Sequence, residues 1–169
     1  MGALGIFGVA TVAFLVVFRA TPLGVQPLRR LAGGELPPDL RFGYSAEEVY
    51  RLMTVYGAAG LAHWRRMFLI DMFFPWAYAP SIAILGARWG DWPAAGPLRR
   101  QFGVACLIAA VACDYGENIL LLAVIRSFPR RRSATVAAAS LCTRGKFLFI
   151  GIALVFAVAP WLRLMANAA

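Results

Sequence analysis

Four polar residues stand inside otherwise apolar stretches of this chain: Asp71, Asp114, Glu117 and Asn118. Asp114, Glu117 and Asn118 follow one another at helical spacing, so in a helix they share one face. Carboxyl groups are rare inside membrane spans, because an Asp at the helix centre costs roughly 2.5–3.5 kcal/mol on insertion, and they mark functional sites. The pattern predicts a buried polar pocket in which Asp71 and Glu117 act as acid and base.

Aromatic residues and prolines accompany these acids. Pro75 and Pro80 each lack a backbone N–H, so Pro75 is expected to leave the carbonyl of Asp71 free. Broken membrane helices are tolerated where they line a cavity. The residues that we expect to line such a cavity as ligand-binding groups are Asp114, Asn118, Trp76, Tyr78 and Tyr115.

Depth along the helices indicates which groups can meet. At about 1.5 Å per residue, Asp71 lies roughly 7 Å from the inner boundary and Glu117 roughly 13 Å. Since packed helices stand about 8–10 Å apart, these two acids can share one pocket. Asp114, at roughly 18 Å, is expected to lie too deep for a base to reach. The candidate ion-pair partners at the inner boundary are His63, Arg126, Arg144 and Lys146.

The composition is that of a membrane protein. Hydrophobic residues make up 61% of the 169 residues and charged residues only 15%, whereas soluble domains carry about a quarter charged residues. The net charge of +9 sits in short clusters between apolar runs, which is not the continuous basic face of a nucleic-acid binder. The three cysteines and one histidine have no metal-ligand spacing, so no metal site is predicted. The cofactor is unknown.

Apolar segments long enough to cross a bilayer predict the fold class. We expect an all-α, integral membrane four-transmembrane-helix bundle, forming a single domain, with an interfacial amphipathic helix before the second span. The first segment has no basic residue before its apolar core and no A-x-A site, which favours a membrane helix over a signal peptide. The predicted spans are 2–18, 67–87, 102–125 and 147–162.

The basic residues predict the orientation. The loops 19–66 and 126–146 hold 7 and 6 of them, 13 together, against 4 on the opposite side, so both loops are expected in the cytoplasm and both termini outside. Tryptophans favour membrane interfaces. Trp64 is therefore expected at the inner one, and Trp89, Trp92 and Trp161 at the outer one.

The two loops contain further signals. Ser45 and Glu48 have the spacing of a capping box that opens a helix. The apolar face expected for that helix consists of Val49, Leu52, Met53, Tyr56, Gly60, Leu61 and Trp64. In the second loop, Arg130, Arg131 and Arg132 are expected to meet anionic lipid headgroups or simply to set the topology. Ser133 is expected to start a helix that runs into the fourth span.

Three functions are compatible with the acidic pocket. It can bind or modify a lipid-like or other apolar small molecule, with a carboxyl group as general acid/base. It can take part in proton- or cation-coupled transport. The acids can also be structural, either protonated or paired with bases from the inner boundary. A small four-span protein is further expected to form a homo-oligomer or to join a larger membrane complex.

Asp71, Phe74 and Pro75 lie in a four-span layout with a long first loop. In this the chain loosely resembles the EXPERA group of sterol isomerases and the sigma-2 receptor, over about half its length. The third span, with DYGEN, departs from that group, as does the lack of a histidine inside the spans. The resemblance implies an apolar-ligand pocket rather than an ion path.

Overall fold

The structure is a computed structural model that describes residues 2–88 and 97–168. Most of the described residues are helical, and none of them forms a β-strand. The elements are α1 (Ala3–Ala20), α2 (Gln26–Leu31), a 3₁₀ helix (Pro38–Leu40), α3 (Ala46–Asp71), α4 (Pro75–Arg88), α5 (Pro97–Ser127) and α6 (Ser133–Ala168).

Within residues 2–88 and 97–168, four helical segments are long and apolar enough to cross a membrane: Ala3–Ala20, Ala46–Arg88, Arg100–Ser127 and Ser133–Val158. The all-α class and the multi-pass character are thereby confirmed. The arrangement as a bundle, the interfacial position of α3 and the orientation of the termini stay predictions. Trp89 and Trp92 lie outside the described residues, as does the side chain of Trp161.

The second predicted span, 67–87, lies within the candidate span Ala46–Arg88 and is interrupted near Pro75, as its prolines led us to expect. Its first five residues end α3, residues 72–74 form a turn, and α4 begins at Pro75. The residue before a proline is disfavoured in helical geometry, which explains the break. The carbonyl of Asp71 is not free, since it accepts a hydrogen bond from the N–H of Phe74 at 2.9 Å.

The second predicted loop, 126–146, is largely helical. α5 continues to Ser127 and α6 begins at Ser133, so that only residues 128–132 connect them. The stretch after Ser133 contains many alanines, which are strong helix formers. The sequence prediction ended the span at its charged residues, but a helix continues through them. Lys146 therefore lies inside a candidate span and not at its border.

α3 begins with the predicted capping box. The Ser45 side chain accepts the N–H of Glu48, and the Glu48 side chain accepts the N–H of Ser45. The apolar face of the helix belongs to a core that also contains Leu28 of α2, Leu121, Leu122 and Val124 of α5 and Val136 of α6. Trp64 belongs to this core and is fully buried against protein. Its expected place at the inner membrane interface stays a prediction.

The long helices pack as antiparallel pairs. α5 and α6 approach closely where Gly116 faces Cys142 and Gly145 faces Cys113, because an added Cβ at either glycine would press on the opposite sulfur. α1 runs beside α4, with the hydroxyls of Thr11 and Ser81 3.0 Å apart. A second apolar core joins Tyr78 and Ile82 of α4 to α5 and α6.

Candidate functional site

Lys146 is the centre of a buried charge cluster. Its ammonium nitrogen Nζ lies 2.5 Å from Glu117 Oε2 and 3.2 Å from Asp114 Oδ1. All three residues are buried, and Glu117 is 0% exposed. The expectation that Asp114 is too deep for a base is therefore wrong. Lys146 reaches both acids because it lies well inside α6, alongside the acidic face of α5.

The second oxygen of Glu117 is held by hydroxyl groups. Thr143 donates to Glu117 Oε1 at 2.5 Å, and the Tyr44 hydroxyl lies 3.4 Å from the same oxygen. Thr143 and Tyr44 are 3.2 Å apart and also buried. Hydrogen bonds to a carboxylate are stronger than those between neutral groups. Both oxygens of Glu117 are thus held by protein groups.

Asp71 has a different environment. It is half-buried at the end of α3, and its Oδ2 accepts a hydrogen bond from Asn118 Nδ2 at 2.9 Å. The amide oxygen of Asn118 is buried and has no partner in the structure. Asp71 and Asn118 thus join the end of α3 to the acidic face of α5. The pocket that the sequence predicted for Asp71 and Glu117 together stays a prediction, since neither Glu117 nor Asn118 is among the residues that line the cavity beside Asp71.

Asp39 is a further acid of this cluster, and the sequence prediction missed it. It lies in the 3₁₀ helix Pro38–Leu40, is buried, and accepts a hydrogen bond from Trp64 Nε1 at 3.1 Å. Burial raises the pKa of the Asp39 carboxyl, because desolvation disfavours the charged form. Its position among prolines looks like an ordinary surface turn, so nothing local marks it as buried.

The segment that carries Asp39, residues 35–44, is held in place by hydrogen bonds and ion pairs at both of its ends. At its C-terminal end, the N–H of Tyr44 donates to the Ser140 hydroxyl of α6 at 2.9 Å. At its outer surface, Glu35 forms ion pairs with Arg41 and Arg51 at 3.2 and 2.6 Å. Hydrogen bonds from Arg51 and Arg41 lower the pKa of Glu35. This segment, which we call the strap, brings Asp39 and Tyr44 next to the charge cluster.

A cavity of about 200 Å³, which we call the chamber, lies between the strap and the helices. Three carboxyl groups line it, those of Asp39, Asp71 and Asp114, together with Lys146 and Arg19. Its remaining walls are apolar or aromatic: Leu15, Phe18, Leu40, Met67, Phe68, Phe74, Phe147 and Ile150. Acidic groups therefore outnumber basic ones in a small space with few other polar atoms, and burying unpaired charges is costly.

An apolar cavity of about 450 Å³, which we call the crevice, adjoins the chamber. The two share three wall residues, Leu15, Phe74 and Ile150. The crevice runs between α1, α4 and α6, and its other walls are Leu4, Gly8, Thr11, Val12, Tyr78, Ser81, Ile82, Leu85 and Leu154. A cavity that contains charged groups thus lies next to an apolar one.

The aromatic residues predicted for the site, Trp76, Tyr78 and Tyr115, lie in different parts of the protein. Trp76 is 72% exposed and, with Tyr115, lines a separate apolar groove of about 400 Å³ between α4 and α5. Tyr78 is buried, with its hydroxyl beside the Asp114 carboxyl. Trp76 and Tyr115 are not among the residues that line the chamber.

Of the predicted ion-pair partners, the structure brings only Lys146 to the acids within the described residues. His63 Nε2 lies 2.7 Å from the carbonyl oxygen of Gly24. Arg126 and Arg144 are exposed, and Arg144 lies against Gly43, whose φ of 124° favours glycine. In the described part of the chain, no group of three or more His, Cys, Asp or Glu side chains is arranged to hold a metal ion.

The fold and the cluster together define a class: a helical, multi-pass membrane protein whose candidate spans enclose acidic groups and one lysine. No protein family matches the chain, and comparisons with curated proteins and with solved structures gave no match either. The likeness to the EXPERA group thus rests on topology and three residues alone.

Proposed function

We propose that this protein binds a small lipid-like molecule within the membrane, with the polar end of the molecule in the chamber and its apolar part in the crevice. The observation that carries the proposal is that the two cavities are neighbours, with Leu15, Phe74 and Ile150 in the walls of both. Ligand pockets commonly have volumes of about 300–1,000 Å³, mostly apolar walls and a few convergent polar groups. The crevice, at about 450 Å³, lies in that range, and the smaller chamber beside it supplies the convergent polar groups.

The chamber suggests the chemistry of the polar end. The chamber has two basic side chains, Lys146 and Arg19, but three carboxyl groups, those of Asp39, Asp71 and Asp114, whose oxygens accept hydrogen bonds. A ligand group that donates hydrogen bonds would satisfy them, and buried polar atoms are costly when they stay unpaired. We therefore expect a head group with hydrogen-bond donors rather than one that only accepts.

If the bound molecule is also modified, Asp71 is the best candidate for the acid/base group. It lines the chamber, is half-buried and is held by one hydrogen bond from Asn118. A general acid or base must come within hydrogen-bond reach of the reacting group. Glu117 fits that role less well, since both of its oxygens already contact Lys146, Thr143 or Tyr44. In our proposal Glu117 is a positioning residue for Lys146.

The test is to extract the protein with its native lipids into nanodiscs and to identify co-purifying small molecules by mass spectrometry. We expect one class of amphiphile to be enriched over the bulk lipids. Asp71→Asn should reduce that enrichment, whereas Glu47→Gln, which neutralises an exposed carboxyl of α3, should not. A wild-type protein without any enriched molecule, or equal enrichment in both variants, would contradict the proposal.

A second pair of variants tests the apolar end. Leu154 lines the crevice, whereas its neighbour Val155 is 63% exposed and does not. Leu154→Trp should fill the crevice and lower the amount of bound amphiphile, while Val155→Trp should leave it unchanged. Equal effects of the two tryptophans would show that bulk in α6, and not the crevice, matters.

Transport is the second candidate, favoured by a single ammonium group that contacts two carboxylates inside the candidate spans. Intramembrane acids and bases of this kind occur in proton relays. Proteoliposomes should then show a proton- or cation-dependent flux that Asp114→Asn abolishes. A flux no greater than that of empty vesicles would exclude this candidate.

A further inference from the structure

A second feature of the molecule lies away from the chamber, in the short connection between α5 and α6. The connection comprises residues 128–132, and the consecutive arginines Arg130, Arg131 and Arg132 are exposed. It joins two helices that are long and apolar enough to cross a membrane. The end of such a helical hairpin is the part of a membrane protein that meets lipid headgroups.

The connection is held rigidly by Tyr50 of α3. The buried Tyr50 hydroxyl accepts the N–H of Arg132 at 2.5 Å and lies 3.3 Å from the carbonyl oxygen of Arg130. The Tyr50 ring stacks on Phe128, with centroids 6.4 Å apart, and the Arg131 guanidinium lies 5.4 Å from the centre of the same ring. One tyrosine thus fixes the backbone on both sides of Arg131 and contacts its side chain.

These arginines have no acidic partner in the described residues. The ion pairs found there use Glu35, Glu48, Asp114 and Glu117 as acids, and none includes Arg130, Arg131 or Arg132. Glu47 is the exposed acid closest along α3 to Tyr50, and it forms no ion pair within that part of the chain. Three exposed guanidinium groups are therefore available to an external anion.

We propose that this connection is a binding site for the phosphate headgroup of an anionic phospholipid. Guanidinium groups bind phosphate through paired hydrogen bonds, which a point charge such as lysine cannot make. A backbone that is already ordered loses less entropy on binding than a flexible one. Negatively charged lipids also attract basic residues at the ends of membrane helices. The proposal does not depend on the chamber or on the function proposed for it.

The experiment compares lipid retention by native mass spectrometry on detergent-solubilised protein, with phosphatidylglycerol and phosphatidylcholine of identical acyl chains. We expect the wild type to retain phosphatidylglycerol preferentially. The double variant Arg130→Gln/Arg132→Gln should reduce this retention by roughly thirtyfold, if each arginine contributes as much as a basic residue near an anionic membrane surface.

Two further variants distinguish a binding site of defined geometry from non-specific attraction of the lipid to basic residues. Arg65→Gln/Arg66→Gln removes two exposed charges from α3 and should leave the preference for phosphatidylglycerol unchanged. Tyr50→Phe keeps the net charge and the ring but removes the hydroxyl that holds the connection, so it should weaken retention by a few-fold. Should Tyr50→Phe unfold the protein, the two arginine pairs still decide the question.

Three results would overturn the proposal. The first is a wild type that retains both lipids equally. The second is an equal loss of retention in the Arg130/Arg132 and Arg65/Arg66 double variants, which would indicate charge alone. The third is displacement of the lipid by millimolar inorganic phosphate, which would indicate a site for free phosphate rather than for a lipid headgroup.

Discussion

The ammonium group of Lys146 lies between Glu117 and Asp114, 2.5 Å from one carboxylate and 3.2 Å from the other. Lys146 is the only lysine of the chain, and its two partners lie one helical turn apart on α5. This contact between α5 and α6 places opposite charges inside the candidate membrane spans. Lys146 and Asp114 also line the chamber, so the stability of the fold and the proposed ligand binding both depend on these two side chains.

Removal of the lysine should destabilise the protein strongly. Lys146→Met leaves Glu117 and Asp114 buried without their cation, and breaking a buried pair in this way costs about 3–5 kcal/mol. Thermal unfolding in detergent should show a large decrease in Tm, and the double variant Lys146→Met/Glu117→Gln should recover part of it. Arg144→Met is the matched control, because Arg144 is exposed on the same helix. An equal loss in both single variants would contradict a special role for Lys146.

The hydroxyl of Thr143 should matter through Glu117. Thr143→Val keeps the shape of the side chain but removes the hydrogen bond to Glu117 Oε1, and hydrogen bonds to charged groups contribute about 1.5–3 kcal/mol. The free energy of unfolding should fall by that amount. Thr54→Val, at an exposed position whose hydroxyl bonds only its own helix, should change it by less than about 0.5 kcal/mol. An unchanged free energy of unfolding in Thr143→Val would show that the hydrogen bond to Glu117 does not contribute to stability.

The strap should respond to pH through Asp39. Burial raises the pKa of Asp39 above its ordinary value of 3.8, so the folded chain holds this proton more tightly than the unfolded chain. The stability that this proton contributes is complete below the ordinary pKa and is lost as pH rises through the folded-state pKa. Asp39→Asn, which keeps an acceptor for Trp64 Nε1, should therefore raise Tm at neutral pH.

The pH series gives the discriminating measurement for Asp39. The difference in Tm between Asp39→Asn and the wild type should be a few degrees near pH 7, since about 1 kcal/mol moves Tm by roughly 2–4 °C at this size. It should shrink steadily as the pH is lowered toward 4. A Tm difference that does not change with pH would contradict the raised pKa of the Asp39 carboxyl in the folded protein.

The orientation can be tested by cysteine labelling. In a background with Cys106, Cys113 and Cys142 replaced by alanine, Leu36→Cys places a thiol on the strap and Asn167→Cys places one near the end of α6. Without Lys146, which lies inside a candidate span, 12 of the 17 basic residues lie in segments 19–66 and 126–144, which are expected on the strap side. We therefore expect a membrane-impermeant reagent to label intact cells at position 167 but not at position 36. The reverse pattern would invert the topology.

Helical periodicity made much of this protein predictable. Asp114, Glu117 and Asn118 were expected on one face of α5, and Asp71 was expected close to them; the bond between Asp71 and Asn118 agrees with that expectation. The capping box of Ser45 and Glu48 was predicted for the same reason. The shared face of α5 and the capping box depend on residues within one or two turns of each other, so sequence spacing alone defines them. The closeness of Asp71 to that face was inferred instead from depth along two separate helices.

The partners of these residues were not predictable in the same way. Asp39 is more than seventy positions before Asp114 in the chain, and only the path of the strap brings it to the chamber. Lys146 seemed to stand at the border of a span, because charge was taken to mark the helix ends. The helix in fact continues past it, since backbone hydrogen bonding does not stop at a charged side chain that finds a partner.

Composition, periodicity and capping by themselves determined that this chain is helical, that it has four apolar segments and that one helix face carries acids inside them. Only the tertiary structure decided which groups meet those acids: Lys146 and Thr143 from α6, and Asp39 and Tyr44 from the strap. The reason is physical. Helical periodicity is set by local backbone geometry, whereas contacts between buried charges depend on how segments distant in the sequence pack together. The spacing of residues along the sequence does not reveal that packing.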